Sequence, residues 1–328
     1  MFGIIPQIFQ RAVLTGTPLL FGSTGEILTE KSGHLNLGIP GIMYVGAISS
    51  VAGAFFYEQS VPKGTPLNPA LAILIPLLSC IIGAMLMGLI YCFLTVTLRA
   101  NQNVTGLALS TFGIGVGNFF GGSLIKLVDT DVPSIALTQT SKIFKAQIPG
   151  FGKLGWFGDM FLSYSFLVYV AIIVALIASY ILNKTRMGLH LRAVGENPET
   201  ADATGVNVTK YKYIATIIGS AIAGLGGLYF VMDYCNGVWS NDGFGERGWL
   251  SIALVIFAMW RPSLSIVGSI LFGLLYIIPS YIGTIPKVLF DMLPYAVTIL
   301  VLIITSIKDK KENQPPAGLG IPYFREER

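Results

Sequence analysis

Charge is what this sequence has least of. Only 12% of its 328 residues are Asp, Glu, Lys or Arg, while 53% are hydrophobic. A soluble domain carries about 25% charged residues because its surface meets water. This composition, with a mean hydropathy of +0.70, excludes an ordinary soluble fold. Cysteine is also scarce. Cys80, Cys92 and Cys235 lack the pairing or spacing of a disulfide framework or a zinc site. They read as small residues on apolar faces. The two histidines exclude a His-rich metal cluster, and no nucleophile–base constellation of an enzyme stands out. No basic residue precedes the first apolar stretch in Met1 to Gln10, so no cleavable signal peptide is expected. A Gly-x-x-x-x-Gly-Lys-Ser/Thr phosphate cradle is missing, which excludes nucleotide hydrolysis by that route.

Long apolar runs are abundant instead. A helix crosses the hydrocarbon with roughly 20 apolar residues, and a lone strand cannot satisfy its backbone there. The runs 10–29, 36–56, 69–97, 102–122, 162–182, 213–233, 247–260, 264–283 and 288–307 predict an all-α polytopic membrane helix bundle of about nine segments. We read it as one transmembrane domain over 1–328, with a cytoplasmic loop at 183–212 and a cytoplasmic tail at 308–328. The seventh run is short and ends before Arg261-Pro262, so it either crosses a thinned region or forms a broken pair with the eighth.

Basic loops resist export. Lys184, Arg186, Arg192, Lys210 and Lys212 place 183–212 in the cytoplasm, and Lys308, Lys310, Lys311, Arg325 and Arg328 place the tail there. Four segments separate the two, so the assignments agree, and the N-terminus falls outside. The stretch 123–161 must then lie outside despite Lys126, Lys142, Lys145 and Lys153, offset by Asp129, Asp131 and Asp159.

Two stripes of small residues, Gly106/Ser110/Gly113/Gly117/Gly121 and Gly219/Ala223/Gly227, suit close helix packing, with a channel lining as the alternative. In the basic loop, Asn197 suits a helix cap, Pro198 the first helical position, Glu199 and Asp202 the early turns, and Gly205 a left-handed end. A helix of about two turns is too short to stand alone, so it must dock on something.

The run Gly188-Leu-His-Leu-Arg-Ala-Val-Gly-Glu-Asn-Pro198, with Ala201 and Gly205-Val-Asn-Val after it, resembles the ATPase-contacting loop of bacterial permeases for simple sugars and nucleosides. Leu28-Thr-Glu-Lys-Ser-Gly-His-Leu-Asn-Leu-Gly38 and Gly245-Glu-Arg-Gly-Trp-Leu-Ser-Ile-Ala-Leu-Val-Ile-Phe257 match too. The tail Pro315-Pro-Ala-Gly-Leu-Gly-Ile-Pro-Tyr323 is similar to nucleoside-type members.

The resemblance implies the transmembrane permease subunit of a binding-protein-dependent ABC importer. It implies four partners: a cytoplasmic ABC ATPase, a second homologous permease, an extracytoplasmic substrate-binding lipoprotein and a small-molecule substrate. No nucleic acid is expected. ATP and Mg would be bound by the ATPase, and this chain would bind no cofactor. Ribonucleosides come first as substrate, then simple sugars, then branched-chain amino acids. The chain lacks an N-terminal span of longer members, so it looks like the shorter permease of a heterodimeric pair. Many relatives carry Glu where this chain has Pro40, and that carboxylate's role does not transfer. Gly188, Arg192, Gly195, Glu196, Asn197, Pro198, Glu199, Ala201 and Gly205 would form the ATPase-coupling surface.

Polar residues at membrane depth are costly and often functional. Glu26, Asn36, Asn118 and Asp233 are therefore candidates for the translocation pathway, although a place near a cytoplasmic end would equally let Glu26 and Asp233 reach the interface. His34 reads as an interfacial histidine beside Lys31, and Trp156, Trp239 and Trp249 as an aromatic belt. An ion-gradient-driven secondary transporter of small polar solutes is the alternative, but it would want more buried carboxylates and paired broken helices.

Overall fold

The computed structural model describes residues 4–62, 64–127, 134–146, 158, 160–281, 290, 292–308 and 314–324. Each of the nine expected segments coincides with a helix. These are α1 (Ile4–Glu30), α2 (Ile39–Ser60), α3 (Pro69–Cys92, prolonged by a π turn to Thr97) and α4 (Gln102–Ile125). A short strand β1 (Ile135–Ala136) and helix α5 (Thr138–Phe144) precede α6 (Phe166–Lys184). Then come α7 (Arg186–Glu196), α8 (Pro198–Ala203) and α9 (Val208–Tyr229, with a π turn to Tyr234). β2 (Val238–Trp239), α10 (Arg247–Phe257), α11 (Pro262–Ile277) and α12 (Leu293–Lys308) complete the described chain.

By length and composition α2, α3, α4, α6 and α9 can each cross a membrane. α1 has the length, 27 residues or about 40 Å. α10 has only 11 residues. Met259 and Trp260, just beyond its end, are both in the left-handed region (φ 51° and 53°), before Pro262 opens α11. The seventh and eighth segments are thus a helix pair joined by a sharp turn. The ends of the eighth and the start of the ninth, 282–289, fall outside the described residues, as do Asp129, Asp131, Lys153, Trp156, Asp159, Lys310, Lys311, Arg325 and Arg328.

α1 lies at the centre, packed on α9, α10 and α11, while α2 joins α3, α4 and α9. Both small-residue stripes are packing surfaces. A methyl on Gly113 would meet the Gly41 backbone at 2.5 Å, and one on Gly117 would meet the Tyr44 ring at 2.2 Å. Gly219 abuts Gly25, and Gly227 abuts the Met43 carbonyl. Without a hydrophobic drive between helices in lipid, such close approach is what holds them. Trp239 corrects the aromatic-belt expectation. Its ring is buried, packed edge-on against Tyr44, because the antiparallel β1–β2 pair folds it inward. Pro40 sits against Gly248, so it fills the α2–α10 contact.

Candidate functional site

Asn197 caps α8 through its side-chain oxygen, which accepts the Thr200 amide at 2.9 Å, and Pro198 follows at the first position. Gly205 ends the turn with φ +87°, and the Val206 amide reaches back to the Ala201 carbonyl at 3.0 Å. Ala201 is the buried residue of α8 and packs with Val194 and Val208. Glu199, Thr200, Ala203 and Thr204 are exposed on the other side.

α7 is an addition to the sequence reading. Thr185 caps it by accepting the Gly188 amide at 3.1 Å. Gly188 lets α7 fold back beneath α6, since a methyl there would stand 2.0 Å from the Ile181 carbonyl oxygen. Gly195 does the same against the α1–α2 connection. Its methyl would lie 2.3 Å from the Lys31 carbonyl oxygen, and Gly33 (φ +75°) faces it backbone to backbone.

The tail closes over this contact. The Gly318 amide donates to the Gly195 carbonyl at 2.9 Å, and the Gly320 amide donates to the Gly33 carbonyl at 3.3 Å. The Ala317 amide donates to the Glu196 carboxylate at 3.4 Å, and the Tyr323 hydroxyl to Asp202 at 2.7 Å. Arg192 and Glu196 line a cavity of about 480 Å3 with Lys31, Trp260, Arg261 and Gln314. Burial pushes the Lys31 ammonium below its usual range, and the Glu196 carboxylate pulls it the other way.

Residues 31–38 are bonded to four helices. The Asn36 amide donates to Glu26 of α1 at 3.1 Å, and the Leu35 amide to Gln102 of α4 at 2.8 Å. Ser110 of α4 donates to the Leu37 carbonyl at 2.6 Å. His34 stands between Thr216 of α9 at 2.8 Å and Thr95 of α3 at 2.7 Å. Thr95 already donates to the Tyr91 carbonyl, so it accepts from His34 Nε2–H, leaving Nδ1 to accept from Thr216. Burial, with the nearby Lys212 charge, pushes the His34 pKa down to about 3. His34 is therefore a fully buried connector and not the expected interfacial residue. Trp260, in the α10–α11 turn, donates its indole N–H to Glu30.

The four candidate pathway residues fall in three separate places. Glu26 and Asn36 are together but fully enclosed within this one chain. Asn118 accepts the Tyr44 hydroxyl at 2.5 Å and donates to Asp242 at 2.9 Å. Asp233 is buried in the π turn that ends α9, about 30 Å along that helix from Lys212 and therefore at the opposite end from Glu26. Among the described residues no group of three or more His, Cys, Asp or Glu side chains could hold a metal ion. Sequence reasoning gave no site role to Glu30, Trp260, Gly318 and Gly320, although all lie in or beside the matched motifs.

A bundle of apolar helices carrying a capped loop braced on its central connection defines a membrane transport subunit. Residues 8–302 match the family described as branched-chain amino acid transport system / permease component, and the chain belongs to it. It is 31% identical to the guanosine ABC transporter permease protein NupQ of Bacillus subtilis (strain 168), over 99% of this chain and 98% of that one. It is 32% identical to the nucleoside ABC transporter permease protein NupC of Lactococcus lactis subsp. cremoris, over 90% of each. The putative glucose ABC transporter permease protein TsgC13 of Haloferax volcanii is also 32% identical, over 82% of this chain and 75% of its own.

Proposed function

We propose that this permease carries nucleosides through the membrane as one subunit of an ATP-driven importer, and that residues 186–205 receive the movement of a separate cytoplasmic ATPase. The observation that carries the reading is the backbone contact of Gly195 with Lys31 and Gly33. The exposed side of α8 offers Glu199, Thr200, Ala203 and Thr204 to a partner, while α7 bears directly on residues 31–38. Those residues are in turn bonded to α1, α3, α4 and α9. A displacement of the loop thus reaches four spans at once, because packed interiors shift as units and do not compress. Exposed ion pairs at the partner surface would add only about 0–1 kcal/mol each, so rigid docking of α8 transmits the force.

The nucleoside assignment is supported by the names of two relatives, with simple sugars next on the strength of the third. Family membership removes the ground for the gradient-driven alternative. In this reading ATP and Mg are held by the ATPase, a second homologous permease completes the passage, and an extracytoplasmic lipoprotein delivers the solute. Proteoliposomes containing this chain with those three proteins should take up labelled ribonucleosides only when ATP is supplied on the loop side. Uptake at full rate without the ATPase refutes the coupling role. ATP-dependent uptake of glucose but no nucleoside would change the substrate alone.

A further inference from the structure

Lys212, the fifth residue of α9, is only 3% exposed, and among the described residues its ammonium has no hydrogen bond and no carboxylate partner. An isolated buried charge costs several kcal/mol unless an opposite charge answers it. The side chain lines a cavity of about 90 Å3 between the end of α3, the start of α4 and the start of α9, roofed by Pro322 and Tyr323 of the tail. Arg99, in a left-handed backbone (φ 61°), also lines the cavity, its guanidinium 4.8 Å from the Phe324 ring, and Thr95 and Thr209 complete the polar lining. Among the described residues no Asp or Glu lines the cavity. Of the other titratable groups in the lining, His34 is held neutral by burial and Tyr323 donates its hydroxyl to Asp202 behind it, so Lys212 and Arg99 are the charged groups of the lining itself.

We propose that this cavity binds a phosphate-type oxyanion, with Lys212 as the buried cation and Arg99 as the cation at the mouth. The volume suits one tetrahedral group and is too small for a transported nucleoside, since solute pockets run from about 300 Å3 upward. The site lies at the end of the bundle that carries the basic loop, level with the starts and ends of three spans. That is where basic pockets between membrane helices meet phospholipid headgroups of the cytoplasmic leaflet. A lipid headgroup and free phosphate share this chemistry, and experiment separates them.

The full-length chain is reconstituted in phosphatidylcholine nanodiscs and its thermal midpoint followed on adding phosphatidylglycerol. A parallel series uses inorganic phosphate at constant ionic strength, against chloride. Phosphatidylglycerol should raise the midpoint of the wild type, and Lys212→Met should weaken the half-saturating dose at least about tenfold. Stabilisation by phosphate alone would assign the site to the soluble ion. Arg99→Gln, at an exposed position, should weaken the response several-fold and keeps the test open should Lys212→Met fail to fold. An unresponsive wild type, or equal responses in wild type and both variants, overturns the proposal. So does a response seen only after removal of residues 325–328, which would give the site to Glu326 or Glu327. Stabilisation by the ATPase subunit but by neither anion overturns it as well.

Discussion

Gly195→Ala tests the proposed coupling contact directly. The added methyl would lie 2.3 Å from the Lys31 carbonyl oxygen and 3.1 Å from the Gly33 amide nitrogen. Both are backbone atoms in a segment bonded to four helices, so neither can rotate away. To reach ordinary contact, α7 must withdraw by about 1 Å. Overpacking of this kind costs about 1–3 kcal/mol, and stretching the Gly318–Gly195 hydrogen bond adds about 0.5–1.5 kcal/mol. A total near 3 kcal/mol shifts the seated loop against the lifted one by roughly a hundredfold. The spans themselves do not depend on this contact, so insertion should be normal. Gly205→Ala is the control. It places a side chain at φ +87°, a strain of about 1–2 kcal/mol, but nothing stands within 4 Å of the new methyl. In proteoliposomes, solute moved per ATP hydrolysed should fall at least about tenfold in Gly195→Ala, and by about twofold or less in Gly205→Ala, in line with a displaced and a merely strained loop. Normal coupling in Gly195→Ala, or equal losses in both variants, refutes the reasoning.

Asn197→Ala removes the cap of α8 and should cost that helix about 1 kcal/mol, visible as faster amide exchange over 198–203 with the spans unchanged. Trp260→Phe takes the indole donor from Glu30 and leaves a buried carboxyl without it. We expect a loss of about 1–3 kcal/mol in the stability of the solubilised chain, largely recovered by pairing it with Glu30→Leu. His34 imposes a pH dependence. Its folded pKa of about 3 lies below the unfolded value near 6.5, so the unfolded chain binds more protons and stability falls as pH drops through that window. At pH 5 the loss is about 2 kcal/mol relative to neutral pH, and His34→Gln should flatten the thermal midpoint between pH 7 and 5.

The helices were legible because each is a long apolar run, and the stripes on α4 and α9 were legible because glycine at helical spacing has few other uses. α7 was not. Gly188 and Gly195 lower its intrinsic helicity, and they occur there because α7 must lie against the Ile181 and Lys31 carbonyls, which no local pattern reveals. His34 was misread for a similar reason. Its neighbours in sequence suggest a membrane edge, whereas its partners Thr95 and Thr216 lie 61 and 182 residues away. Trp260 and Glu30 are separated by 230 residues. The cap of α8 could be read at once, since Asn197, Pro198 and Gly205 act within one short segment.

The tail gives the bracing its asymmetry. Gly318 and Gly320 each donate one backbone hydrogen bond, to Gly195 on the loop and to Gly33 on the α1–α2 connection respectively. A segment that binds both partners resists their separation but not their joint displacement. Under the proposed coupling, the loop would push the connection, and pull it back, without parting from it. Direct contact alone would transmit only the push. This two-way link requires close backbone approach on three separate segments, and all three meet it with glycine. It also accounts for the tail motif Pro315-Pro-Ala-Gly-Leu-Gly-Ile-Pro-Tyr323, shortly after α12: turns at Pro316–Leu319 and Gly318–Ile321 bend it, glycines let it into the joint, and Tyr323 fastens its end to Asp202 on α8.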